Sequence, residues 1–158
     1  MRTAFVFVTG ILIGVSIESG LAQQGRIAGL NHVAVSVADY KGAVVFYGRQ
    51  MGFREAFTVR DDKGQPVLAY VQASRDTFVE LQPANATRPA GLSHFGLHVE
   101  DLRATVATLK QRGVTVEEPR AGRQDSSVAN ATGPGGVRIE LFEFGPESLQ
   151  RKAIDSWK

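Results

Sequence analysis

Alternating apolar and polar residues across positions 91–99 predict a β-strand with two unlike faces. One face carries Phe95, Leu97 and Val99. The other face carries His94, Gly96 and His98. We expect the apolar face to pack against the core, and we expect the face with two imidazoles and a glycine to line an open, polar cleft.

An amphipathic helix is predicted directly after this strand. Asp101 is a suitable N-cap, because its short carboxylate can accept hydrogen bonds from the free amides of the first helical turn. Leu102, Val106 and Leu109 then recur at helical spacing, and Gly113 is a typical helix terminator.

This strand and helix occur twice in the chain. Positions 30–39 read LNHVAVSVAD and positions 92–101 read LSHFGLHVED, so Leu, His, Val and Asp recur at a constant offset of 62 residues. The ends of the two copies also match, with VEL at 79–81 and IEL at 139–141. In the first copy the residues expected to face the core are Val33, Val35 and Val37. Two copies at this long period indicate a duplicated unit rather than a solenoid.

Each copy fits the order strand, helix, strand, strand, strand. The predicted fold class is therefore α+β, with two tandem βαβββ modules at residues 30–82 and 92–144 of one domain spanning 30–144. In the second module we expect strands at 114–117, 128–131 and 137–144, with a polar loop at 118–127. The tail at 145–158 predicts a short amphipathic helix, to which the sequence assigns no function.

The first 22 residues have the features of a secretory signal peptide. Arg2 precedes about 14 apolar or small residues, and Gly20-Leu21-Ala22 resembles a small-residue cleavage site. The apolar run is shorter than the roughly 18 residues that a membrane span needs. We therefore expect cleavage after Ala22, an N-terminal segment at 23–29, and a secreted or periplasmic protein without a stable membrane anchor.

Composition narrows the chemistry further. Of the 158 residues, 43% are hydrophobic, which is enough for one domain with a real core. The 18 basic and 16 acidic residues are scattered, so a nucleic-acid partner is not indicated. The chain has no cysteine, which excludes disulfides, thiolate metal sites and a cysteine nucleophile.

Two histidines and two glutamates form the chemical signal of this sequence. His32 and His94 are equivalent on the first strand of each module, and Glu80 and Glu140 are equivalent on the last. If a twofold axis relates the modules and their polar faces meet, these four side chains converge. Neutral imidazoles and carboxylates are typical ligands of Zn²⁺, Ni²⁺, Mn²⁺, Co²⁺ or Fe²⁺. We predict a divalent metal site that leaves one or two positions for water or substrate.

The chain resembles the vicinal-oxygen-chelate superfamily, which includes glyoxalase I, methylmalonyl-CoA epimerase, extradiol dioxygenases and the fosfomycin and bleomycin resistance proteins. The similar motifs are LNHVAVSVAD, TFVELQP, LSHFGLHVED and GVRIELFEF, within a stretch from about Leu30 to Phe144. The resemblance implies the glyoxalase fold with a metal-binding cleft. It places the four metal-ligand positions of the family at His32, Glu80, His94 and Glu140.

Three functions are compatible with this resemblance. The first is a metal-dependent lyase or isomerase of the glyoxalase or epimerase kind, in which Glu140 or Glu80 moves a proton beside a chelated carbonyl. The second is a non-catalytic small-molecule binding or resistance protein that uses the same cleft. The third is an extradiol-type dioxygenase with Fe²⁺ on two histidines and one carboxylate, and the fourth predicted ligand argues against it.

The expected partner is a small molecule with two adjacent oxygens. Arg120 and Arg123, in the loop before the seventh strand, could hold an anionic substrate. The resemblance suggests glutathione or coenzyme A conjugates, but both thiols are chiefly cytosolic, so export points to other substrates. The sequence leaves open which metal binds, and whether the site lies within one chain or is shared across a homodimer.

Overall fold

The computed structural model describes residues 25–158. The predicted signal peptide at 1–22 lies outside the described residues. Across the described part of the chain, no helix has the length and apolar character needed to cross a membrane.

Two βαβββ modules follow one another along the chain, as predicted. The first contains β1 (Ile27–Val37), α1 (Tyr40–Val45), β2 (Arg54–Arg60), β3 (Pro66–Ser74) and β4 (Thr77–Pro83). The second contains β5 (Gly91–Val99), α2 (Leu102–Gln111), β6 (Arg120–Ala121), β7 (Ser126–Thr132) and β8 (Arg138–Phe144). A last helix, α3 (Leu149–Asp155), follows the second module.

All eight strands belong to one mixed sheet in the order β2-β3-β4-β1-β5-β8-β7-β6. Within each module the first strand pairs in parallel with the last, β1 with β4 and β5 with β8. The modules join through the antiparallel pairing of β1 with β5, which we call the seam. The α+β class and the duplicated architecture are therefore confirmed.

The seam has near-twofold symmetry. Val33 lies opposite Phe95 at its centre, His32 lies opposite Gly96, and Ala34 lies opposite His94. Each histidine thus faces the small residue two positions after the other histidine. This arrangement leaves room for two imidazoles on one face of the sheet, which we call the cleft face.

Aspartates begin the helix of each module, as the sequence predicts. The Asp39 Oδ1 atom accepts a hydrogen bond of 2.9 Å from the Gly42 amide, and Asp101 Oδ1 accepts one of 2.9 Å from the Ala104 amide. These bonds satisfy amides that the first helical turn leaves free. In the first module, α1 continues as a π-helical turn at Phe46–Gln50.

The predicted core face is confirmed in part. In the second module Val99 is buried in a cluster with Leu102 and Val106 of α2, and Leu97 packs against it. The first strand differs from the prediction. Along β1 the buried residues lie on the cleft face, namely His32, Ala34 and Ser36. The other face of β1 and β5 is only half-buried at Val33, Val35, Val37 and Phe95, and the three hydrophobic clusters found within residues 25–158 include none of these four. At these positions the side chains on the cleft face exclude more solvent than the opposite face does, because the short helix α1 has no buried residues.

One predicted strand is also wrong. Residues 114–117 form only an isolated bridge, in which Val116 pairs with Ala131. The short strand β6 lies instead within the predicted polar loop, where Arg120 pairs with Val128 and Ala121 with Ser127. Alternation over four residues is too short a pattern to distinguish a strand from an extended connection.

The C-terminal helix α3 has a structural role that the sequence did not reveal. Ser148 is its N-cap, with an Oγ atom that accepts a 3.2 Å hydrogen bond from the Arg151 amide. Ala153 is buried in the hydrophobic cluster of the first module, and Ile154 packs against the clusters of both modules. The tail therefore closes one end of the cleft face.

Candidate functional site

The four predicted ligands lie on the four central strands of the sheet. His32 is on β1, Glu80 on β4, His94 on β5 and Glu140 on β8. The parallel pairings set Glu80 beside Ala34 and Glu140 beside Gly96, so each carboxylate lies next to a small residue of the seam. The duplication thus brings two equivalent histidine and glutamate pairs together within one chain.

The polar atoms of these side chains converge closely. The Nε2 atoms of His32 and His94 are 3.2 Å apart. The His32 Nε2 atom is 3.6 Å from Glu80 Oε2 and 3.5 Å from Glu140 Oε2. Glu140 Oε2 is also 3.8 Å from His94 Nε2. His32, Glu80 and His94 each place one ligand atom within 4.8 Å of the others.

These separations fit a shared divalent cation. Ligand atoms about 2.1 Å from one ion stand roughly 3.0–3.4 Å apart at tetrahedral or octahedral angles. The separations from His32 Nε2 are similar or slightly longer. Glu140 lies near both histidines but outside the group of His32, Glu80 and His94, whose ligand atoms are all within 4.8 Å of one another, so its side chain would move the most to complete the coordination. Two nitrogens and two carboxylate oxygens suit Zn²⁺ and the neighbouring first-row metals. The residues present therefore fit the group that the sequence predicted.

A bulge in β1 orients the ring of His32. The register of the seam shifts between Leu30 and His32, which leaves Asn31 unpaired and buried, with 1% of its surface exposed. The Asn31 Oδ1 atom accepts a 2.8 Å hydrogen bond from Nδ1 of His32. Because Nδ1 then carries the ring proton, Nε2 has a free lone pair directed at the other three side chains.

The second module repeats this device around His94. A register shift skips Ser93, which is the residue equivalent to Asn31 at the offset of 62. The Ser93 Oγ atom is 3.2 Å from Nδ1 of His94 and can accept a hydrogen bond from this nitrogen when Nδ1 is protonated. The Arg138 guanidinium also contacts this nitrogen, but as a donor it pairs with the tautomer protonated at Nε2. Ser93 and Arg138 therefore stabilise different tautomers of His94.

Burial keeps the imidazole of His94 neutral. Desolvation lowers its pKa to about 4, and the positive charge of Arg138 acts in the same direction, against the raising influence of Glu80. For Glu140 desolvation alone would raise the pKa, but contacts with His32, His94 and Arg138 outweigh it, so the pKa is lowered. Near neutral pH the site thus contains the neutral imidazole and the carboxylate that metals bind.

Glu80 is held in place by two neighbours. The Tyr70 hydroxyl donates a 2.5 Å hydrogen bond to Oε2 of Glu80, and the amide nitrogen of Gln82 contacts Oε1. Tyr70 lies directly across from Glu80 in the β3–β4 pairing. Burial and the nearby Glu80 carboxylate raise the pKa of Tyr70 well above its usual value, so the phenol stays protonated as a donor.

Glu140 is less constrained than Glu80. Its side chain is 14% exposed, against 5% for Glu80. Within residues 25–158 its carboxylate receives no hydrogen bond of the kind that Tyr70 and Gln82 give to Glu80, and its near neighbours are the two histidines. The two glutamates that the sequence treats as equivalent therefore differ in how many neighbouring side chains hold them.

A cavity of about 540 Å³ opens from this site, a size typical of small-molecule pockets. The aromatic rings of Tyr70 and Phe142 form apolar parts of the cavity wall, and Glu80 and Glu140 also line it. Four arginines also line it, namely Arg88, Arg120, Arg123 and Arg138. Arg120 and Arg123, the substrate-binding residues suggested by the sequence, are exposed at its edge.

Several residues of the site were not identified from the sequence. They are Asn31, Tyr70, Gln82, Arg88 and Ser93. A signal existed for two of them, since Asn31 and Ser93 share the offset of 62 that relates the histidines. Tyr70 could be found only from the register of β3 with β4, which alternation does not define.

Solved structures with a similar fold include methylmalonyl-CoA epimerases. The enzyme from Mycobacterium tuberculosis has 27% sequence identity and a TM-score of 0.64, and the match covers 76% of this chain and 90% of that one. A Streptomyces coelicolor epimerase variant in complex with 2-nitronate-propionyl-CoA has 22% identity and a TM-score of 0.63 over 78% and 99% of the two chains. A hypothetical protein from Bacillus halodurans C-125 has 21% identity and a TM-score of 0.62 over 75% and 96%.

A search of curated protein sequences gave no match. The family model of the Glyoxalase/Bleomycin resistance protein/Dioxygenase superfamily matches residues 29–141, which is most of the chain. This range includes both modules and all four predicted ligands. The chain therefore belongs to the Glyoxalase/Bleomycin resistance protein/Dioxygenase superfamily, the vicinal-oxygen-chelate proteins.

Proposed function

We propose that the protein is a divalent-metal-dependent isomerase or lyase that moves a proton beside a chelated carbonyl group. The observation that carries this proposal is the asymmetry of the two glutamates. Tyr70 and Gln82 hold Glu80 as a fixed ligand, whereas Glu140 is more exposed and free of such donors. A carboxylate without such donors can turn from the metal to a substrate proton, which a general base must do.

Each residue then has a separate task. A cation held by His32, Glu80, His94 and Glu140 would supply Lewis-acid stabilisation of the negative charge that develops on the substrate oxygen. Glu140 accepts the proton from the carbon beside the carbonyl, and the electron pair of the broken C–H bond moves towards that carbonyl. Glu140 returns the proton to the neighbouring carbon or to the opposite face. The reaction is redox-neutral and needs no co-reactant.

The structural neighbours support this class of reaction. The Mycobacterium tuberculosis protein, at 27% identity, is a methylmalonyl-CoA epimerase. We infer the type of chemistry from this similarity and not the substrate. A non-catalytic binding or resistance protein is the alternative that the following experiment separates from an enzyme.

The test compares Glu140→Gln with Glu80→Gln. Glutamine keeps a carbonyl oxygen but cannot accept the proton, a role worth about 10²- to 10⁴-fold in rate. We expect Glu140→Gln to retain metal by mass spectrometry and to lose at least about a hundredfold in solvent deuterium exchange into an α-hydroxy carbonyl or 2-oxo-aldehyde compound. Glu80→Gln should mainly weaken metal binding. Glu100→Gln, on the exposed residue after β5, is the charge-matched control.

The metal is established by loading purified protein separately with Zn²⁺, Ni²⁺, Mn²⁺, Co²⁺ and Fe²⁺. At least one form should catalyse exchange with a compound from the panel. If no form does so while the metal still binds, the protein is a binding protein and the proposed reaction is wrong. Oxygen consumption by the Fe²⁺ form would instead indicate the dioxygenase.

We also propose that the protein is exported and is secreted or periplasmic. The basic and apolar pattern ending at Ala22 supports this proposal. N-terminal sequencing of the protein recovered outside the cytoplasm should begin at Gln23. A mature chain that still begins at Met1 would rule out the cleavable signal peptide.

A further inference from the structure

The cavity beside the predicted metal site has an unusual concentration of positive charge. Four arginines line it, contributed by the linker between modules, by β6 and its loop, and by β8. Within the described residues 25–158, none of the four forms a salt bridge with a carboxylate. Four guanidiniums that converge on one cavity make its lining strongly positive, which favours an anionic ligand.

Two of these arginines lie deepest. Arg138 contacts His94 and places Nη2 3.3 Å from Ser93 Oγ, so its guanidinium lies against the predicted metal site. When the Ser93 hydroxyl accepts a hydrogen bond from Nδ1–H of His94, that nitrogen cannot accept one from Arg138. The N–H groups of Arg138 are then available to a ligand. Arg88 donates a 2.7 Å hydrogen bond from Nη2 to the Pro83 carbonyl, while its Nε atom is buried without a partner.

The other two arginines come from a loop with defined structure. The Gly122 amide donates a 2.9 Å hydrogen bond to the Ser126 carbonyl, and the Ser126 hydroxyl donates one of 2.6 Å to the Arg123 carbonyl. Asp125, in the left-handed region with φ of 55°, accepts hydrogen bonds of 2.8 Å from the amides of Gly145 and Glu147. The loop is therefore tied to the end of β8, which sets Arg120 and Arg123 at the cavity mouth.

The charge balance indicates what the cavity binds. Four arginines face two glutamates, Glu80 and Glu140, so the arginines and glutamates of the lining have a formal net charge of +2. A bound divalent cation would raise this to +4. A neutral ligand would leave these charges uncompensated in a partly enclosed space. Guanidiniums bind carboxylate and phosphate groups through two parallel hydrogen bonds, which lysine cannot do.

We propose that the substrate is a small dianionic compound, with two adjacent oxygens directed at the metal site and a phosphate or second carboxylate bound by Arg138, Arg123 and their neighbours. This inference rests on the proposed function for the position of the adjacent oxygens. Arg138 and Arg88 bind the anionic group within the cavity, and Arg120 and Arg123 face it from the mouth. The arginines thereby select against neutral α-hydroxy carbonyl compounds of the same shape.

Isothermal titration of the full chain, with and without bound Zn²⁺, tests the inference. The probes are dihydroxyacetone, dihydroxyacetone phosphate and tartronate, which represent a neutral α-hydroxy ketone, its phosphate and a small dicarboxylate. We expect at least one dianion to bind about tenfold or more tightly than dihydroxyacetone, because charge-assisted hydrogen bonds are the strong ones. Tighter binding of dihydroxyacetone phosphate or of tartronate shows whether the anionic group of the ligand is a phosphate or a second carboxylate. Raising the salt concentration to about 1 M should reduce this difference.

Three substitutions make the test specific. Arg123→Gln should weaken dianion binding about tenfold, while dihydroxyacetone affinity changes less than about twofold. Arg138→Gln should weaken dianion binding to the same extent, and it is compared in the metal-free protein because Arg138 contacts His94. Arg103→Gln removes the same charge from an exposed position of α2 and should change neither affinity. Circular dichroism establishes that each variant is folded.

Failure of the inference differs from failure of the proposed function. Equal affinity for neutral and dianionic probes, or equal losses for both in the arginine variants, would overturn the dianion assignment, even if metal binding and proton exchange are intact. Absence of metal binding or exchange, with the arginine-dependent preference retained in the metal-free protein, would overturn the proposed reaction and leave the anion site standing.

Discussion

The imidazole ring of His32 lies over Gly96, its cross-strand neighbour in the seam, so closely that a β-carbon on Gly96 would overlap the ring. The backbone of Gly96 does not lie in the left-handed region, so its conformation does not require glycine. Glycine is needed here only because a side chain would overlap the His32 ring. We expect Gly96→Ala to displace His32 and to lower Zn²⁺ affinity by about 10- to 100-fold, as for other residues that orient metal ligands. Competition with a chromogenic chelator measures this change.

Gly29→Ala is the matched control for that substitution. Gly29 is also a strand glycine of the seam, but a β-carbon there would meet nothing within 4 Å. Its Zn²⁺ affinity should stay within about twofold of the wild-type value. Equal metal affinity in Gly96→Ala and wild-type protein would show that the position of the His32 ring does not govern the site.

Removing the carboxamide of Asn31 tests the bulge in β1. In Asn31→Ala the Nδ1 proton of His32 loses its buried acceptor, so the ring is no longer held in the tautomer that presents Nε2. We expect Zn²⁺ affinity to fall by about 10- to 100-fold. Ser93→Ala should have a smaller effect, because the Ser93 contact at His94 is longer and Arg138 competes for it. A larger loss in Ser93→Ala would reverse this assignment.

Tyr70→Phe isolates the hydrogen bond to Glu80. The ring should remain in place, because it stacks on Phe57 with centroids 4.8 Å apart and packs edge-on against Phe78. Loss of the hydroxyl frees Glu80, and we expect weaker Zn²⁺ binding by about tenfold without loss of the fold. Tyr47→Phe is the control, since Tyr47 lies in the π-helical turn away from the cleft. Unchanged Zn²⁺ affinity in Tyr70→Phe would contradict the proposed anchoring of Glu80.

The stability of the protein should depend on pH through His98. Burial lowers its pKa, and Arg151 acts in the same direction, against the raising influence of the nearby acids Glu100, Asp76 and Glu143. Below the unfolded-state pKa of about 6.5 the unfolded chain therefore binds a proton that the folded chain does not, and the free energy of unfolding decreases as the pH falls.

His98→Phe should reduce this pH dependence and keep the ring contact with Phe144, whose centroid is 4.2 Å away. Urea unfolding between about pH 7.5 and about pH 5 measures the slope for both proteins. His94 contributes a slope of the same sign in metal-free protein, so the difference between the two proteins is the relevant quantity. An identical slope in His98→Phe and wild-type protein would show that His98 is not the source.

The sequence predicted the convergence of His32, Glu80, His94 and Glu140 because duplication and strand alternation both constrain it. Alternation assigns each residue to one face, and the offset of 62 relates the two modules. Any arrangement that pairs the equivalent strands symmetrically then brings these four residues together. This prediction needed no side-chain detail, which explains why it succeeded while finer ones did not.

The supporting residues could not be predicted in the same way. Asn31 and His32 are adjacent, and strict alternation would put them on opposite faces of β1, whereas the bulge lets both be buried. Bulges depend on the pairing between strands and leave no local pattern in a strand of this length. The contact of Tyr70 with Glu80 likewise depends on the register of two strands, and a shift of one residue would remove it.

The choice of the buried face was right for Leu97 and Val99 of β5 but wrong at the centre of the seam, for a related reason. Val33, Val35 and Phe95 form an apolar pattern that ordinarily marks a core, yet Leu92, in the same region of β5, is 70% exposed. Which face of a sheet is more buried depends on what covers it. In this fold the tail helix α3 and side chains from both modules cover the polar face, and neither contact is encoded in the alternation of a single strand.

The seam has a consequence for any assembly that this protein forms. Because β1 and β5 pair within one polypeptide, every chain carries its own His32, Glu80, His94 and Glu140. Chains in which both His32 and His94 are replaced should therefore not reduce the activity of wild-type chains when the two are co-expressed. Turnover should rise in direct proportion to the fraction of wild-type chains, whatever the number of subunits, whereas a centre divided between subunits would give a dominant-negative, curved dependence.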